Sequence, residues 1–124
     1  MLTLGAVILG VDDMARAVEF WSRALGYQPR QGESRDDWTV LDPPESSRGI
    51  QLALDRSDSA VQEIPRIHLD LHTENAQEQA AEVDRLISLG ATRVEWPLYP
   101  PDPDFIVLAD TEGNRFCVID LAHG

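Results

Sequence analysis

The feature that most constrains this chain is an internal duplication in its 124 residues. The segments WTVLDPPESSRGIQLAL (38–54) and FIVLADTEGNRFCVIDL (105–121) align without a gap. Val40/Val107, Leu41/Leu108, Glu45/Glu112, Arg48/Arg115 and Leu54/Leu121 are identical, and Trp38/Phe105 and Leu52/Ile119 are conservative. Each segment reads strand, turn, strand, with Pro43-Pro44 and Glu112-Gly113-Asn114 as turn signals.

The first half of each copy also repeats. Residues 6–11 (AVILGV) are apolar and rich in β-branched side chains, as in a buried strand. Asp12 and Asp13 can then cap a helix whose apolar stripe is Met14, Ala17, Val18, Trp21 and Leu25. Residues 66–71 (RIHLDL) alternate, Asn75 can cap, and Ala76, Ala80, Val83, Leu86 and Ile87 form the second stripe. The helices close on Leu25-Gly26 and Leu89-Gly90.

The expected class is therefore α+β: one domain over 1–124, with module one at about 1–56, a polar connector at 55–65 and module two at about 64–124. Each module reads β-α-β-β-(β), and the pair is expected to make a curved mixed sheet. A period of this length with only two copies excludes a solenoid.

These residues resemble the glyoxalase/bleomycin-resistance/dioxygenase (vicinal oxygen chelate) superfamily. The resemblance is carried by VDDMARAVEFWSRALGY, RIHLDLHTEN, RLISLGATRV and LADTEGNRFCVID, and covers essentially the whole chain. It implies two βαβββ modules around a shared concave face that receives a small molecule, and often a homodimer. In metal-dependent relatives each module offers one ligand from its first strand and one from its last. Here His68 stands at a ligand position, but its counterpart is Ala6. The last-strand position, four residues after Gly113, holds Cys117 where relatives carry glutamate; its counterpart is Ile50, or Gln51 with a one-residue slip. One imidazole and one thiol fall short of the three or four ligands of a catalytic metal site, so no metal or other cofactor is expected.

Strand alternation puts Arg66, His68, Asp70 and His72 on one face. Asp70 lies about 6–7 Å along the strand from His68, and could join or orient it. His68 and Asp70 are the candidate catalytic pair. The ligand-binding set adds Trp38, Gln51, Trp96, Tyr99, Phe105 and Cys117; Trp96 and Tyr99 lie in the proline-rich loop WPLYPPDPDF, a candidate lid. Arg48 and Arg115 are expected to pair with acids such as Glu45 and Glu112. Trp21 belongs to the core.

Charge and motif content narrow the partners. Asp and Glu number 22 against 10 Lys and Arg, a net charge of −12, which repels nucleic acid and anionic membrane and attracts cations. A single cysteine allows no internal disulfide and suits a reducing cytoplasm. The apolar run Leu2–Leu9 lacks a basic flank and is read as a strand. No Walker A, GxGxxG, GxSxG, CxxC or HExxH motif occurs. Two functions are compatible with these residues: a metal-free binder of a small molecule, such as a cationic drug or metabolite, and a lyase or isomerase using His68 and Asp70 with or without a divalent metal.

Overall fold

The computed structural model describes residues 1–124. The chain forms two compact units, Met1–Ala60 and Val61–Gly124. Each unit is a four-stranded mixed sheet with one helix, and the class is α+β with tandem modules. No helix is long and apolar enough to cross a membrane.

The first unit runs β1 (Ala6–Val11), α1 (Met14–Leu25), β2 (Gln28–Ser34), β3 (Trp38–Asp42) and β4 (Gln51–Arg56), with sheet order β1-β4-β3-β2. β1 and β4 are parallel; the other pairs are antiparallel. α1 starts where Asp13 accepts the Arg16 N–H and ends where Gly26 turns left-handed at φ 69°, a conformation that disfavours side chains with a Cβ. Its buried face is Met14, Ala17, Phe20, Trp21 and Ala24. Phe20 replaces the expected Val18 and Leu25 because Trp21 and Phe20 pack edge to face at 5.0 Å, which turns the buried stripe toward both rings.

The second unit runs β5 (Leu69–Thr73), α2 (Ala76–Ser88), β6 (Thr92–Arg93), β7 (Phe105–Ala109) and β8 (Arg115–Asp120), in order β5-β8-β7-β6. Asn75 caps α2 by accepting the Glu78 N–H. Gln79 on α2 donates to the carbonyls of Val118 and Asp104, fixing the helix over β8 and the approach to β7. Of the expected α2 stripe, Val83 and Leu86 are buried, while Ile87 is partly exposed. The strand expected at 66–71 begins three residues later, so Arg66, Ile67 and His68 precede the ladder.

Strand pairing corrects the repeat alignment. Val40 pairs with Ala53, and its counterpart Val107 pairs with Cys117. The connection after β3 spans residues 43–50 and that after β7 spans 110–114, so the first is three residues longer. The true counterpart of Cys117 is Ala53, not Ile50 or Gln51. The turn residues of the two copies matched in sequence while their ladders did not. Ile8 and Ala53 pair in the first unit as Asp70 and Cys117 do in the second, so Ala6 remains the counterpart of His68.

Leu41 and Leu108 are equivalent and fully buried. Truncation of either to alanine should cost about 2–5 kcal/mol, whereas Asp13→Ala should cost about 1 kcal/mol; urea unfolding monitored by tryptophan fluorescence measures both.

Candidate functional site

The chemistry-bearing side chains gather on one face of the second sheet. In a parallel pair, residues in register point the same way, so Asp70 on β5 and Cys117 on β8 share a face. Phe105, Val107 and Ala109 on β7 join them. Leu69, Leu71, Phe116 and Val118 occupy the opposite face, with Phe116 and Val118 fully buried.

His68 stands one residue before β5 and turns back onto Asp70. Its Nε2 lies 3.2 Å from Asp70 Oδ1, with the side chains 39% and 48% exposed. The separation expected along a strand is closed because His68 lies outside the ladder and its ring swings over the neighbouring carboxylate.

Cys117 is buried. Burial first, then the charge of Asp70 and the hydrogen bond that the thiol donates to it, and then the charge of Asp104, push this thiol up to about 11. A thiol held protonated in this way is a poor nucleophile.

One ligand atom each from His68, Asp70 and Cys117 lies within 4.8 Å of the others. Asp70, which the sequence offered as able to join or orient His68, converges with both His68 and Cys117. Imidazole, carboxylate and thiolate suit a divalent, sulfur-tolerant ion such as zinc, with a fourth position open. The donor set thus fits a metal by type and number. The counterparts Ala6, Ile8 and Ala53 offer none.

A rigid turn holds β7 and β8 in place. The buried Asp110 carboxylate accepts the N–H groups of Glu112 and Asn114, and Gly113 adopts φ 89°. Thr111 donates to Glu112. Arg115 does not form the expected pair with Glu112. Its NH1 donates to the Gly113 carbonyl at 2.8 Å instead, and its Nε is buried without a partner. Sequence proximity suggests the acid, but the guanidinium bends back to a backbone carbonyl of the turn.

The remaining candidates divide between the units. Tyr99 stacks on Phe105 at 5.2 Å, and its hydroxyl accepts the Val107 N–H at 2.7 Å. That bond ties Tyr99 to β7 beyond the two-residue strand β6. Trp96 is half-buried in the same loop. His123 reaches the loop at Asp102, with 3.1 Å between Nε2 and Oδ2. Trp38 and Gln51 belong to the first unit. Trp38 donates to Glu33 at 3.1 Å, and Gln51 pairs with Ala6. The half-buried Arg30–Asp42 pair in that unit was not anticipated, because its residues lie on different strands.

This arrangement of two βαβββ units defines the glyoxalase/bleomycin-resistance/dioxygenase fold. The chain resembles a member of that family from Burkholderia phytofirmans, with a TM-score of 0.74 and 16% identity over 97% of this chain and 99% of the other. It resembles a possible glyoxalase from Bacillus cereus, with a TM-score of 0.70 and 16% identity over 96% and 99%. It also resembles a fosfomycin resistance protein from Listeria monocytogenes, solved as a mutant with Mn(II) and dihydroxypropylphosphonic acid, with a TM-score of 0.73 and 16% identity over 96% and 90%. No curated protein shows a significant sequence match. The family model of the glyoxalase-like domain matches residues 6–119, and the chain belongs to that family.

The raised Cys117 thiol has a consequence for stability. The unfolded chain releases this proton near the ordinary 9.0, before the folded chain does at about 11. Stability should therefore fall as pH rises from about 9 to about 11, and level off above that window. Urea midpoints across this range should decline less steeply for Cys117→Ser than for the natural chain.

Proposed function

We propose that this chain binds a small organic molecule on the Cys117 face of its second sheet, with the His68–Asp70 pair receiving the polar group of the ligand. The observation that carries the proposal is the 3.2 Å contact between His68 and Asp70 beside the buried Cys117. Asp70 stands within hydrogen-bonding distance of the imidazole. Phe105, which is half-buried, supplies an apolar wall beside it, over the buried Val107 and Ala109. Binding needs no metal in this form.

The expectation of a cationic ligand comes from the net charge of −12. That charge is spread over exposed acids and acts mainly on encounter rate. Drug or metabolite sequestration is the simplest biological use of such a face, and it requires no turnover.

A second function is favoured by the convergence of three donors within 4.8 Å. In it, a lyase or isomerase uses His68 as a general base, oriented by Asp70, to take a proton alpha to a carbonyl. With a divalent ion held by His68, Asp70 and Cys117, that ion would supply Lewis-acid polarisation of the carbonyl, and His68 would serve as its ligand instead of as the base. The fosfomycin resistance protein with Mn(II) shows that the fold accommodates such ions in another chain.

Two measurements test these proposals. In a fragment screen by NMR, compounds that shift the Asp70 and Cys117 amides should lose about tenfold or more in affinity for His68→Ala, ~1.4 kcal/mol. Binders that all map elsewhere, or that bind His68→Ala unchanged, would rule the site out. Elemental analysis of untagged protein purified without chelator separates the two functions. A stoichiometric metal that is lost in Cys117→Ser would replace the metal-free form.

A further inference from the structure

We propose that Arg115 forms an oxyanion subsite next to His68, so that the ligand of this face carries a carboxylate or a comparable oxyanion. The inference rests on the small-molecule binding proposed above, and names the class of molecule bound.

Two half-buried arginines show the contrast. Arg30 is engaged by Asp42 through both Nε and NH2, at 2.9 and 2.7 Å. That is the fork geometry a guanidinium makes with a carboxylate. Arg115 has no such partner. Its one hydrogen bond runs from NH1 to Gly113, its buried Nε meets no acceptor, and it makes no ion pair with any carboxylate. In a chain where acids outnumber Lys and Arg by 22 to 10, a half-buried guanidinium without an acid is unexpected. Buried donors are normally satisfied, and this one is satisfied when an oxyanion arrives.

Position points to the same ligand. Arg115 shares its sheet face with Cys117 by strand alternation, and it pairs with the small side chain of Ala109 on β7. Leu69 pairs with Phe116, so His68 and Arg115 are each the residue before that register pair. The two residues therefore stand at the same end of the β5–β8 seam. A turn of the guanidinium away from Gly113 presents Nε and NH2 to a ligand carboxylate, while His68 meets a second polar group. The Asp110 turn keeps the β8 end rigid during this movement. The overall negative charge does not forbid an anion, because exposed charges are screened over about 8 Å at physiological ionic strength.

Benzoate and benzamide test the subsite, because they share a shape and differ in charge. Titrations of the full chain are followed by the amide shifts of His68, Arg115 and Cys117. Benzoate should bind saturably and about tenfold more tightly than benzamide. Arg115→Gln should remove that preference, and Arg115→Lys should keep part of it, with urea midpoints showing that both variants fold. Equal response to the two compounds overturns the oxyanion subsite but leaves ligand binding at this face intact. A preference that persists in Arg115→Gln also overturns it. No response at these amides to either compound overturns the subsite and counts against the binding face itself.

Discussion

The parallel pairing of β5 with β8 is the constraint on which the candidate site depends. It places Asp70 opposite Cys117 and, one step further along the same face, His72 opposite Ile119. The opposite face is held by Phe116 and Val118, both removed from water. Burying those side chains fixes the register, since a one-residue slip would turn Phe116 outward and Cys117 into the apolar layer. The polar cluster is thus positioned by hydrophobic packing on the other side of its own strands. The Asp110 turn anchors one end of β8, and Gln79 secures the strand from the helix.

Duplication gives the chain two such seams, and only one carries chemistry. Where the second unit has His68, Asp70 and Cys117, the first has Ala6, Ile8 and Ala53 at matching register. The backbone solution is the same, because Leu52 and Leu54 are buried in β4 much as Phe116 and Val118 are in β8. On the other face Ala53 and Cys117 are buried as well, but only the second unit adds a carboxylate and an imidazole beside them. A fold of this kind constrains the apolar face tightly and the facing site weakly.

Within the site, Asp70 is the hub. It stands 3.2 Å from the His68 imidazole and accepts a hydrogen bond from Cys117, and its negative charge helps keep the thiol protonated. The thiol thereby loses nucleophilic character. Tyr99 and Phe105 close the flank through ring stacking and a hydrogen bond to the β7 backbone.

Periodicity, caps and turn residues in the sequence determined the α+β duplication, both helices and most strands, because they are local and each is paid for within a few residues. Asp13, Gly26 and Asn75 act as their types predict. The sequence also placed His68, Asp70 and Cys117 in one neighbourhood, through alternation and through resemblance. Only the tertiary structure decided that Asp70 completes a set of three donors, that Ala53 is the counterpart of Cys117, and that Arg115 turns to a carbonyl rather than to Glu112. Those outcomes depend on ladder register, loop length and side-chain rotation. These are set by packing between segments far apart in the chain, and local residue preferences do not encode them.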